Sequence, residues 1–351
     1  MGCGSSSNPT TSNSNPSSGS SFSYPFLANF GYYMEGGELT NPSVFCGGTI
    51  PAPGGFYDPT GVAIGGGYIF VGDDSEEDIQ VFDMNGNYVT FFWPYDANGF
   101  FDSSPEGMKV SNGRLYVANA DKGYVDVYNI PDIIAQTGQV NDCNSVDAYG
   151  SYWNPASFSE VFDVDVDNNG NIYAVDAYAG TNSTGLITVF APDFNNGQEP
   201  NWGDDVIAST STGVTGIHSG QLYYPFGIAV DPSGQHVYVA DSDNNVIQVY
   251  NGVLASKGFI GDAAGASSTV AGKFDYPVGV RLDNQGNLMV ADEDNARVQR
   301  LSTSGSVLNV IGATVTVNGG LYSPAYVAVD PNNNLYVSDQ NVGSVFVYAG
   351  R

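Results

Sequence analysis

The sequence predicts an all-β fold, a six-bladed β-propeller with four-stranded blades. Three observations carry it: six copies of one hairpin pattern, a composition poor in charge and rich in Gly and aromatics, and an N-terminal segment that repeats the end of a blade. The clearest copies are YPFGIAVDPSGQHVYVAD at 224–241, YPVGVRLDNQGNLMVAD at 276–292 and SPAYVAVDPNNNLYVSD at 323–339. Fainter copies are DPTGVAIGGGYIFVGD at 58–73, SPEGMKVSNGRLYVAN at 104–119 and FSEVFDVDVDNNGNIYAVD at 158–176. Their last residues, Asp73, Asn119, Asp176, Asp241, Asp292 and Asp339, recur at the period of propeller blades rather than of helical repeats.

Each copy alternates apolar residues, turns at Gly, Asn or Asp, and alternates again, which is the pattern of a β-hairpin. A third alternating strand follows every copy, at 79–82, 125–128, 187–190, 247–250, 298–301 and 345–348. Outer strands are read up to Tyr149-Gly150, Ile260-Gly261 and Ile311-Gly312. The sixth copy reaches Arg351 too soon to supply an outer strand of its own. Ala28-Asn29-Phe30-Gly31 repeats the pattern Asn309-Val310-Ile311-Gly312, so the segment from Pro25 to Tyr33 should complete that blade. Closing the ring this way leaves only short, protected edges.

The 37 acidic residues outnumber the 9 basic ones, for a net charge of -28. Nucleic acid and anionic membrane surfaces are therefore excluded as partners, because phosphate contacts need Lys and Arg. Charged residues make up 13% of the chain, so the imbalance comes from missing bases. No stretch approaches the roughly 18 apolar residues of a membrane span.

Residues 1–22 are rich in Ser, Asn and Gly and read as a flexible tether ahead of a propeller spanning 23–351. Cys3, followed by this polar tract, resembles the start of a mature bacterial lipoprotein. That resemblance implies lipidation at Cys3, a periplasmic or cell-surface location, and membrane contact only through the anchor. The alternative is N-myristoylation through M-G-x-x-x-[ST], which places the chain on the cytosolic face of a membrane.

The repeat P-x-G-[IV]-A-V-D-x-x-G-x-[IV]-Y-V-A-D resembles the NHL repeat, a six-bladed propeller family, over about residues 23 to 351. The N-x-R that follows the second strand in that family persists only at Asn295-Ala296-Arg297. With so few basic residues, the RNA binding of its basic members is not implied.

The turns before each first strand and after each second strand share one end of the ring. Second-strand exits place Asp73, Asp74, Glu76, Glu77, Asp78, Asp176, Asp241, Asp243, Asp292, Glu293, Asp294 and Asp339 there. First-strand entrances add Tyr57, Phe158, Tyr224, Phe226, Tyr276 and Tyr326. An acidic face with interleaved aromatics suits cations, basic peptides or glycans, although Asp at such positions also bonds to its own turn.

Residues 165–176 fit D-x-[DN]-x-[DN]-G with a carboxylate at the twelfth position, an arrangement of oxygens used by Ca²⁺ loops. Asp163, Asp165, Asp167, Asn169 and Asp176 are the candidate ligands, although the hairpin repeat itself asks for Asp at this spacing. Nucleophile elbow, P-loop and paired-Cys metal motifs are all absent from the sequence. His218 and His236 are the two His residues, too few for the three-His zinc site of propeller-shaped amidating lyases, and His236 falls in a hairpin turn. Cys46 and Cys143 could pair as a disulfide or remain buried thiols. Trp93, Trp153 and Trp202 are expected to pack between blades.

The expected function is non-catalytic binding or scaffolding at the cell envelope, recognising a protein, peptide or glycan through this face. The alternative is a Ca²⁺-dependent hydrolase or lyase of gluconolactonase type acting at the central channel, with Asp163, Asp165 and Glu106 as channel candidates.

Overall fold

The computed structural model describes residues 25–33, 54–95, 104–135, 145–147, 150–152, 159–179, 185–191, 206–210, 220–312 and 319–350. Six antiparallel sheets form the blades of a ring. Their inner strands are Pro59–Gly65, Pro105–Ser111, Val161–Val166, Pro225–Val230, Pro277–Leu282 and Pro324–Val329. Each touches the next around the circle, and the sixth returns to the first. The repeat pattern therefore maps one copy onto one blade, as expected. No helix among the described residues is long and apolar enough to cross a membrane.

The ring closes through the N-terminal strand. Phe26–Phe30 pairs antiparallel with Ser344–Tyr348, placing Ala28 opposite Val347 and Phe30 opposite Val345. Phe26 packs 6.1 Å from Phe346 and 6.0 Å from Tyr348, measured between ring centroids.

Between blades, period-2 alternation buries one sheet face against the next. Ala229, Ile247 and Tyr238 of blade four pack on Val280, Leu288 and Val290 of blade five. The Gly of the P-x-G motif permits the close approach this requires. A Cβ at Gly227 would lie 2.1 Å from the carbonyl oxygen of Val278, and one at Gly61 would lie 2.0 Å from that of Glu106.

Two elements differ from expectation. Blade two's outer strand is Gly150–Tyr152 and begins where it was expected to end. The segment Ser145–Asp147 instead runs parallel to blade one's outer strand, Tyr88–Tyr95, as a fifth strand covering an otherwise open edge. Trp93 lies on that outer strand, opposite Ser145, and meets Phe91 of the same strand at 5.0 Å. Cys3, Cys46, Cys143, Phe158, Trp153, Trp202 and His218 lie outside the described residues.

Candidate functional site at the channel mouth

Every inner strand is bulged at its entrance, just after the Pro of P-x-G or its equivalent. A bulge releases one residue from the ladder and re-aims its side chain. The released positions include Glu106, Phe162, Phe226, Val278 and Ala325, and all five line one cavity of about 170 Å³ at the mouth of the channel. Tyr276, Glu293, Tyr326 and Gln340 complete its wall.

One side of this mouth is aromatic. Phe162 meets Phe226 at 4.6 Å and Tyr178 at 5.9 Å, Tyr178 meets Tyr224 at 5.1 Å, and Phe226 meets Tyr276 at 5.8 Å. Tyr224 and Tyr276 hold φ of 49° and 53°, a left-handed conformation uncommon for bulky residues and found most often where function over-determines the backbone. The other side is acidic. Glu106 is hydrogen-bonded to Tyr326, whose hydroxyl donates its proton to the Phe162 carbonyl at 2.8 Å. Burial, then Asp74 and Asp58, push the Glu106 carboxyl well above the usual range. Glu293 accepts a hydrogen bond from Ser323 Oγ at 2.7 Å, and burial raises its pKa too.

Beneath the mouth the channel is closed by an ion pair. Arg281 Nη1 lies 2.6 Å from Asp163 Oδ2 and Nη2 lies 2.7 Å from Oδ1. The guanidinium also donates to the carbonyls of Ile228 and Met108, so one side chain ties blade five to blades two, three and four. Burial opposes its charge, and the Asp163 carboxylate more than offsets this, raising the guanidinium above its ordinary value. Lys109 bonds Asp165 at 2.7 Å, and both Lys109 and Arg281 line a second cavity of about 320 Å³ at the far end of the channel.

The five residues proposed for a Ca²⁺ loop are not brought together. Asp163 and Asp165 are held by Arg281 and Lys109, and also accept the N–H groups of Ile228 and Val230 at 2.9 Å. Asp167 clamps the hairpin turn through the N–H groups of Asn169 and Asn171, and Asn169 itself is exposed. Asp176 pairs with Val161 at the opposite end of the hairpin. The physical reason is that a β-hairpin extends the segment that a Ca²⁺ loop would curl. A gluconolactonase-type Ca²⁺ ion needs several oxygen ligands converging in the channel. Among the described residues no three His, Cys, Asp or Glu side chains are grouped to hold a metal ion. Among the described residues that line the mouth only Glu106 and Glu293 offer carboxylates, beside Phe162, Phe226, Val278 and Tyr326, so these residues do not fit that ion.

The expected acidic face is also redistributed. Asp73, Asp176, Asp241, Asp292 and Asp339 are fully buried. They accept N–H groups from the loop entering their own blade, as Asp73 does from Tyr57 at 2.7 Å and Asp241 from Tyr223 at 2.7 Å. They latch the backbone. Asp74, Glu76 and Glu77 stay half-buried at the surface, where Asp74 accepts a bond from Ser104. Phe226, Tyr276 and Tyr326 do reach the mouth, whereas Tyr224 packs on Tyr178 and Tyr223. His236 is exposed in its turn, with Nδ1 2.8 Å from Asp231.

Phe162, Arg281, Tyr178 and Gln340 were not anticipated. A signal was nevertheless present. At the Gly position of P-x-G, blades three and six carry Asp163 and Tyr326, and at the first Ala of A-V-D, Lys109, Asp165 and Arg281 replace Ala. These departures are the residues that fill the channel.

A family profile described as the SMP-30/Gluconolactonase/LRE-like region matches residues 62–339. No curated protein matches the sequence. Among solved structures, a protein of unknown function from Bacteroides thetaiotaomicron aligns with TM-score 0.63 at 15% identity, covering 86% of this chain and 71% of the other. A streptogramin B lyase aligns with TM-score 0.53 at 12% identity, covering 86% and 96%. A luciferin-regenerating enzyme aligns with TM-score 0.53 at 16% identity, covering 84% and 92%. At such identities these likenesses speak to the propeller fold alone. The matching profile differs from the NHL repeat that the motif resembles, and it lends no support to a purely scaffolding role, the hydrolase-type alternative being closer. The chain belongs to the SMP-30/gluconolactonase/LRE-like family.

Proposed function

We propose that the chain is an acid–base enzyme of hydrolase or lyase type working at the channel mouth, with Glu106 as its proton-transfer group. The observation that carries this reading is the position of Glu106, a bulge residue facing a small cavity beside Tyr326 and a wall of aromatic rings. A carboxylate with a raised pKa is a stronger base than a solvated one and is poised nearer neutral pH. Membership of a family whose description includes gluconolactonase supports a lactone as the reactant.

Seated against Phe162 and Phe226, a lactone presents its carbonyl carbon toward Glu106. The Glu106 carboxylate accepts a proton from water as the water oxygen bonds to that carbon. The ring C–O bond then breaks, and the departing alkoxide takes the same proton back from Glu106, leaving the hydroxy acid. Tyr326 holds the carboxyl in place through its hydroxyl, and the Arg281–Asp163 pair closes the channel below.

Acid release from dihydrocoumarin and γ-butyrolactone, followed in a pH-stat, tests the reading. Glu106→Gln should lower kcat by about 10²–10⁴-fold while leaving thermal unfolding nearly unchanged. The wild-type kcat/KM should climb with pH through the raised Glu106 value rather than in the ordinary carboxylate range. Equal turnover by both proteins, or none by the wild type, would remove Glu106 from this role.

A further inference from the structure

We propose that the mouth selects a small organic cation, an amine or quaternary ammonium on an apolar body, with Glu293 meeting the charge and Phe226 and Tyr276 flanking it. The inference rests on the reading of this mouth as the reaction site and adds the class of molecule it receives.

Among the described residues, the wall of the cavity contains two carboxylates, Glu106 and Glu293, and no Lys or Arg. Asp58 lies within electrostatic reach of both, and Asp74 within reach of Glu106. Arg281 below is already paired with Asp163. Carboxylates crowded in a partly dry site repel one another, and a bound cation relieves that repulsion. One Glu293 oxygen accepts from Ser323, and the other receives no hydrogen bond from a described residue. Ring faces attract cations through their quadrupole, an attraction that strengthens as water is excluded. Phe226 and Tyr276 stand 5.8 Å apart on this wall, and the left-handed backbone of Tyr276 holds its ring there. The net charge of -28 draws cations toward the molecule and repels anions. Glu293, whose N–H bonds the Tyr276 carbonyl at 3.2 Å, is a carboxylate at the end of an apolar aromatic arc, which matches a ligand with one charged end and one greasy end.

Calorimetric titration of the full chain with 2-phenylethylamine, 2-phenylethanol and phenylacetate isolates the charge, because the three share one body. The amine should bind at least tenfold more tightly than the alcohol, and phenylacetate more weakly than either. Glu293→Gln, which keeps an acceptor for Ser323, should erase the amine's advantage and leave alcohol binding in place. Phe226→Leu should weaken the amine by about threefold or more and the alcohol less. Alcohol and amine binding equally, phenylacetate binding best, or no binding of any probe would each overturn the proposal. Lactone turnover is scored separately. Glu106-dependent turnover without a charge preference removes the cation and keeps the enzyme, whereas a charge preference without turnover does the reverse.

Discussion

Arg281 of blade five and Asp163 of blade three meet across the channel as a two-point ion pair, with N–O distances of 2.6 and 2.7 Å. Both are nearly or wholly buried, with side-chain exposures of 7% and 0%. Taking either charge out of water is costly, and each is tolerable only because the other is present. Arg281→Met should therefore destabilise the fold by about 3–5 kcal/mol. The double replacement Arg281→Met with Asp163→Leu should cost much less, since it leaves no orphaned charge. Urea unfolding of the two singles and the double checks this, and strict additivity would show that the pair is not coupled.

Blade one carries an acid where blade five carries a base. Asp73 faces Asp78 across the ladder in the register at which Asp292 faces Arg297, and Arg297 Nε bonds Asp292 at 2.6 Å. Asp78 is fully buried, and among the described residues neither of its oxygens has a hydrogen-bond partner. Burial, then Asp73 and Glu76, hold it well above the usual carboxylate range. Val246 fills the same position in blade four. Asp78→Val should accordingly stabilise the protein by about 1–3 kcal/mol, the cost of an unsatisfied buried polar group. A lower denaturation midpoint in the variant would count against this.

Stability should decline from mildly acid to mildly alkaline pH. Burial, the largest cause in each case, raises Asp73 and Asp176 to about 6 and Glu76 and Asp241 to about 7. For an acid whose folded pKa is raised, the stabilisation is complete below the unfolded value and is lost as pH climbs through the folded value. The loss here runs from about 4, the unfolded Asp value, to about 7, the upper folded value. Asp262, lowered by its bond to Lys273, works the other way, but only below its ordinary 3.8. Melting temperatures at pH 5 should exceed those at pH 8, and the reverse order would refute the argument.

The N-terminal strand is a structural member of blade six. Phe26, half-buried against Phe346 and Tyr348, should cost about 1–2 kcal/mol when replaced by Ala, less than the worth of a fully buried Phe. Deleting the chain through Phe30 should also bare the ladder edge of Ser344–Tyr348 and promote association. Calorimetry and light scattering on these two variants provide the check. An unchanged, monomeric melt after the deletion would mean that closure through this strand contributes nothing.

Six repeats, their strands and even the closure by Phe26–Phe30 were legible in the sequence, because a strand announces itself locally through period-2 alternation and turn residues. Glu106 could be singled out as a channel residue for the same reason, since it stands in the repeat at P-x-G. What the alternation does not encode is which copies face one another. Arg281 and Asp163 are 118 residues apart and become partners only once six blades close into a ring. Within each blade, the entering loop makes latches of Asp73 and its counterparts, and strand pairing stretches the apparent Ca²⁺ loop into a hairpin. Ring closure also gathers Phe162, Phe226, Tyr276 and Glu293 from three blades around one cavity. The sequence by itself determined the repeating hairpin and where its pattern breaks. Tertiary structure decided what those breaks do, because burial and charge pairing across a ring depend on positions that no single repeat contains.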